Sequence, residues 1–104
     1  MSKEQRGTKK ESNVEIKERI QRPRRYKVIM HNDDYTPMEF VVQVLEQVFH
    51  KSPPQATRIM LTVHQQGTGI AGVYSKEIAD TKKSFTIQLA RESGFPLTLS
   101  TEPE

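Results

Sequence analysis

His31-Asn32-Asp33-Asp34-Tyr35-Thr36-Pro37-Met38-Glu39-Phe40 joins a strand signal to a helix signal through a polar turn. Thr36 has the hydroxyl of a helix cap, Pro37 suits the first helical position, and Glu39 stands where a capping box needs its acid. The stretch therefore predicts a helix start at Pro37, with an amide and two adjacent carboxylates held against it. Asn32, Asp33 and Asp34 are fixed acceptors, and fixed acceptors suit a donor-rich partner such as a protonated amine.

Upstream, residues 26–30 alternate, with Tyr26, Val28 and Met30 on one face of a predicted strand. Downstream, residues 37–49 predict a helix with Phe40, Val41, Val44, Leu45 and Val48 as its apolar stripe. Ser52-Pro53-Pro54-Gln55 repeats the capping pattern and opens a second helix to about residue 65. Its inward face carries Ala56, Ile59, Met60 and Val63, with His64 beside them.

Gln66-Gly67-Thr68-Gly69 reads as a turn and residues 70–74 as a short strand. Ser75 is the expected cap of a third helix running to about residue 93, with Ile78, Ala79, Phe85 and Leu89 facing in. Gly94 is its left-handed stop and Pro96 follows. Residues 97–100 predict the last strand, and residues 101–104 a frayed end. The order β-α-α-β-α-β gives an α+β class: a three-stranded antiparallel sheet packed against three helices.

Charge is divided along the chain. Residues 1–25 hold nine Lys/Arg and four Asp/Glu, a balance of +5. Residues 26–104 hold seven and nine, a balance of −2. Large apolar groups are sparse in the first segment, so it reads as a flexible basic extension, with one domain over 26–104. The acidic balance of that domain argues against nucleic acid as its partner. A nucleic-acid or ribosome-associated module using the basic tail is the alternative, since the same element order resembles the carboxy-terminal domain of the ribosomal stalk protein.

There is no cysteine, which excludes disulfides and thiolate chemistry. No apolar run reaches the roughly 20 residues of a membrane span, and a signal-peptide apolar region is lacking. A cytoplasmic protein, free of membrane, is expected. No nucleophile setting, glycine-rich phosphate cradle or defended acid pair marks an enzyme. His31, Asp33, Asp34 and His64 have the right chemistry for a metal, but no spacing such as His-x-x-x-His supports one. Neither a metal nor another cofactor is expected.

Three groups stand out, each with a plainer reading. Asn32, Asp33 and Asp34 could form an Asx turn that complements the helix dipole, although two adjacent acids exceed what a turn needs. His64 could be an ordinary helix-end histidine. Met38, Met60, Val63 and Leu97 could be core. Together, though, they come from elements able to meet near the acidic turn, and methionines make an adaptable apolar wall.

Residues 26–41, Tyr-Lys-Val-Ile-Met-His-Asn-Asp-Asp-Tyr-Thr-Pro-Met-Glu-Phe-Val, resemble the signature of the ClpS adaptors of the bacterial Clp protease. Met60-Leu61-Thr62-Val63-His64 with Gly67, and Gly72-Val73-Tyr74 with Glu77 and Lys82, continue the resemblance, which spans residues 26 to about 100. It implies a non-enzymatic bacterial adaptor, monomeric when free. Such adaptors recognise an amino-terminal Leu, Phe, Tyr or Trp and deliver the substrate to the ClpA unfoldase for degradation by ClpAP, under the N-end rule. By position, it implies that Asn32, Asp34 and His64 contact the α-amino group while Asp33 adds negative potential. Thr36, Met38, Val41, Met60, Val63 and Leu97 would line the side-chain pocket, with Met38 as a gate against β-branched residues. Glu77 and Lys82 would dock on the amino-terminal domain of ClpA.

Overall fold

The computed structural model describes residues 23–104, so most of the expected 1–25 extension lies outside the described residues. The elements are β1 (Arg25–His31), α1 (Met38–Gln47), α2 (Pro53–Gln66), β2 (Thr68–Ser75), α3 (Lys76–Glu92) and β3 (Thr98–Pro103). The predicted order is the observed one. β1 lies centrally in an antiparallel sheet of order β2-β1-β3.

The period-2 pattern of β1 decides which face is inside. Val28 and Met30 are fully buried, whereas Lys27, Ile29 and His31 occupy the other face. α3 lies across all three strands, while α2 packs on β2 and against α1. The register of β2 shifts between Val28 and Ile29, which pair with Gly72 and Ile70. Ala71 is the extra residue of this bulge and is fully buried. A side chain at Gly69 would lie 2.6 Å from Val63 Cγ2, so its absence is what lets α2 close onto β2.

Ser52 caps α2 as expected. Its hydroxyl accepts from the Gln55 N–H, and the Gln55 side chain accepts from the Ser52 N–H. Gly67, at φ 94°, ends that helix in the left-handed region. Ser75 accepts from the Ile78 N–H at the start of α3, and Gly94 follows its end at φ 83°.

Four expectations need correction. Thr36 does not cap α1: Pro37 is the cap residue and no side chain caps that end. Thr68 and Gly69 belong to β2 rather than to a turn. Ile78 and Phe85 are about half exposed, and α3 buries Thr86 and Ala90 beside the expected Ala79. Small residues win this face because the helix lies directly across the sheet, where a long side chain has no room. Finally, β3 does not fray at residue 101. Thr101, Glu102 and Pro103 pair with Val28, Lys27 and Tyr26, and Lys27 Nζ meets Glu102 at 3.4 Å. Pro103 is tolerated because β3 is an edge strand.

Candidate functional site: a cleft between the acidic turn and the second helix

The chain leaves β1 through Asn32, whose N–H donates to the Gly67 carbonyl at 2.8 Å. That bond ties the acidic turn to the end of α2, one turn beyond His64. Asp33 then organises the turn from within. Its Oδ1 accepts the Tyr35 N–H at 2.8 Å and the Thr36 N–H at 2.7 Å, and its Oδ2 accepts the Thr36 hydroxyl at 2.8 Å. This is an Asx turn, and it uses the hydroxyl expected to cap α1.

Partial burial alone would raise the pKa of the Asp33 carboxyl. The hydrogen bonds from Thr36 and Tyr35, with the Arg91 charge, outweigh it and hold the group below its ordinary value of 3.8. Asp33 is thus a fixed negative charge at neutral pH.

Between this turn and α2 lies a cavity of about 230 Å³. Asn32, Asp33, Asp34, Thr36 and His64 supply its polar lining, and Met38, Val41, Met60 and Val63 its apolar lining. The first three and Thr36 come from the turn, Met38 and Val41 from α1, and Met60, Val63 and His64 from α2. Val41 and Val63 are buried, whereas Met38 is 42% exposed at the mouth. Among the described residues the side chains of Asn32, Asp34 and His64 have no hydrogen-bond partner, in contrast to Asp33. The cavity is smaller than the roughly 300–1,000 Å³ typical of sites for drug-sized molecules, and suits one amino-acid side chain.

Most residues singled out from the sequence meet here, but not all. Leu97 does not line the cavity; it is 1% exposed, in the core cluster. Its place is explained by β3, which follows it and carries its backbone under α3. Glu77 is exposed in the first turn of α3, away from the lining. Lys82 acts locally, since its Nζ donates to the Val48 carbonyl at 2.6 Å and stands 5.3 Å from the Tyr74 ring centroid and 5.9 Å from that of Phe49. It thereby satisfies an orphan carbonyl at the end of α1. His31 turns to the far side of the sheet, where Nε2 lies 2.7 Å from the Ser100 hydroxyl. Among the described residues, no three His, Cys, Asp or Glu side chains group so as to hold a metal ion.

The roles of Gly67 and Gly69 in closing the cleft went unread. The signal was present in Gly67-Thr68-Gly69, where two glycines flank a single residue just after a helix.

Fold and cleft together define a small binding module, with an apolar slot whose mouth is lined by hydrogen-bond acceptors. The family description "ATP-dependent Clp protease adaptor protein ClpS" matches residues 21–100. The ATP-dependent Clp protease adapter protein ClpS of Desulfatibacillum aliphaticivorans is 57% identical over 91 residues, covering 88% of each chain. Its counterpart in Oleidesulfovibrio alaskensis is 47% identical over 102 residues, covering 98% of each. Among solved structures, Agrobacterium tumefaciens ClpS2 bound to L-phenylalaninamide superposes with a TM-score of 0.77 at 47% identity, covering 80% of this chain and 100% of that one. The chain belongs to the ClpS family of Clp protease adaptors, which are adaptors and not enzymes. Among the described residues no helix is long and apolar enough to cross a membrane.

Proposed function

We infer that the chain captures polypeptides by their first residue, requiring a free α-amino group and a large apolar side chain: Leu, Phe, Tyr or Trp. The observation that carries this reading is one cavity lined both by the exposed polar side chains of Asn32, Asp34 and His64 and by apolar side chains, of which Val41 and Val63 are buried. An α-ammonium offers three donors and a positive charge, and with a pKa near 7.7–8.0 it is mostly protonated at neutral pH. Asn32, Asp34 and His64 receive it, while Asp33 supplies negative potential from within the turn. Met38, Val41, Met60 and Val63 enclose the side chain, with Thr36 at the edge and Met38 as a gate against β-branched residues.

The related ClpS2 supports this reading chemically. L-phenylalaninamide combines a free amine, a benzyl group and an uncharged amide where the next peptide bond would begin. A charge-assisted hydrogen bond contributes about 1.5–3 kcal/mol, and burial of a Phe or Leu side chain about 1.5–3 kcal/mol. Neither alone reaches micromolar affinity, about −8 kcal/mol, after the cost of association; up to three bonds from the ammonium added to the buried side chain, about 6–12 kcal/mol before that cost, bring it within range.

Delivery completes the function. The domain over 26–104 carries the bound substrate to the hexameric unfoldase ClpA, with Glu77 and Lys82 on the docking side of α3. The 1–25 segment acts as the arm that engages the unfoldase, in the bacterial cytoplasm. The adaptor is a monomer when free. The −2 balance of residues 26–104 favours this over nucleic-acid binding.

The test pairs binding with degradation. Peptides beginning with Leu, Phe, Tyr or Trp bind with a fluorescence change; those beginning with Ile, Val or Ala bind at least tenfold more weakly. Deleting residues 1–20 spares this binding and abolishes ClpAP degradation of a Phe-initiated substrate. Equal binding of Ala- and Phe-initiated peptides refutes the pocket, and undiminished degradation refutes the arm.

A further inference from the structure

We propose that the shelf across the acidic turn from the cleft is a second subsite, which takes an aromatic side chain at the second or third position of the captured polypeptide. It rests on the first-residue reading above and adds a specificity determinant to it. Asp34 and Thr36 line the cleft, but Tyr35 between them lines a separate depression of about 540 Å³ with Arg91, Gly94, Phe95 and Pro96. The two sites are thus the two sides of one turn. An extended polypeptide advances about 3.3–3.6 Å per residue, so one or two residues beyond the first suffice to cross a single turn.

The shelf is built on fixed parts. Tyr35 is 79% exposed, yet its N–H is held by Asp33 Oδ1 at 2.8 Å, so an uncovered ring stands on a pinned backbone. Phe95 is anchored edge-on against Phe40, with centroids 4.9 Å apart and planes at 69°. Phe40 is the neighbour of Val41 in the wall of the cleft. Arg91 Nη1 donates to the Phe95 carbonyl at 2.9 Å and to the Leu97 carbonyl at 2.8 Å, fixing the guanidinium against the segment it borders. The left-handed turn at Gly94, φ 83°, redirects the chain after α3 so that Phe95 and Pro96 line the depression together with Tyr35. With the backbone and the Phe95 wall ordered before binding, the Tyr35 ring is the main part that must settle when a ligand arrives.

The chemistry selects the occupant. Two aromatic rings, a proline and a guanidinium face suit a flat π system. An acidic side chain is disfavoured, because Asp33 already opposes the Arg91 charge. Aliphatic residues gain contact area but not ring stacking.

The experiment titrates the full chain with three fluorescent peptides beginning Phe-Ala-Ala, Phe-Trp-Ala and Phe-Ala-Trp, each also as its acetylated twin. The readout is the affinity ratio of each Trp peptide to the all-Ala peptide, which cancels any change at the first pocket. One of the Trp peptides binds about threefold to tenfold tighter than Phe-Ala-Ala. The ratio falls to about one in Tyr35→Ala and is retained in Tyr35→Phe. Ratios near one in the unaltered chain, or a ratio that survives Tyr35→Ala, overturn the subsite alone. Acetylated twins binding as tightly as the free amines overturn the first-residue reading, and the subsite with it.

Discussion

The starts of α1 and α2 both read as capping boxes, Thr36 with Glu39 and Ser52 with Gln55, yet the two regions use their polar groups in opposite ways. At α2 the pair closes on itself, with Gln55 N–H to Ser52 at 3.3 Å and Ser52 N–H to Gln55 at 3.2 Å. Those groups have little left for a ligand. At α1 no side chain caps the helix, and Asp33 gathers the Thr36 hydroxyl and two N–H groups into the preceding turn. With one residue satisfying the turn, Asn32 and Asp34 make no side-chain hydrogen bond among the described residues and line the cavity. Similar local sequence therefore serves stability in one place and recognition in the other, and the accounting of hydrogen bonds tells them apart.

Asp33 is the substitution that cuts deepest, because it joins both roles. Asp33→Ala removes three hydrogen bonds and loosens the loop that carries Asn32 and Asp34. Urea unfolding is expected to register a loss of about 1.5–3 kcal/mol, and affinity for a Phe-initiated peptide falls more than tenfold. If stability drops while affinity holds, the turn does not position the mouth.

The same carboxyl gives a pH signature. Its folded-state pKa lies below the ordinary 3.8, so the unfolded chain binds its proton first as pH falls. The stabilisation is fully present above about pH 4 and is lost as pH drops through the lowered folded value. Acid unfolding of Asp33→Asn lacks this share of the slope; an unchanged acid limb would remove Asp33 from the stability of the turn.

Asp34→Ala separates recognition from folding. Affinity decreases about tenfold or more, consistent with loss of a charge-assisted bond. Unfolding midpoints stay within about 0.5 kcal/mol, as befits an exposed residue. Ser52→Ala is the mirror case and the mildest: about 1 kcal/mol of stability is lost with peptide affinity intact. Swapped outcomes for these two variants would break the contrast between the two helix starts.

Much of this was legible in advance because the strongest signals are local. The period-2 pattern of Tyr26, Val28 and Met30, the stripe of Val41, Val44 and Leu45, and the Ser52 and Ser75 caps all lie within a few residues of what they determine. What escaped depends on distant contacts. The inward face of α3 is chosen by the sheet beneath it, so Thr86 and Ala90 join the expected Ala79 there in place of the more hydrophobic Ile78 and Phe85. The last residues of β3 look like a polar tail until Lys27 and Val28 supply their partners. At the cleft, residue types and spacing pointed to Asn32, Asp34, Met38 and His64. They did not reveal that Leu97 would lie in the core rather than in the lining. The Asx turn was among the expectations, but not that Asp33 alone of the three would form it.

The central claim concerns the charge on the first residue of the ligand, and acetylation removes that charge while keeping the side chain. Titrating the full chain with a labelled Phe-initiated peptide and its acetylated twin tests it in one experiment. Binding of the free-amine peptide with at least a thirtyfold advantage, about 2 kcal/mol, is the expected result. Affinities within about twofold of each other would contradict it.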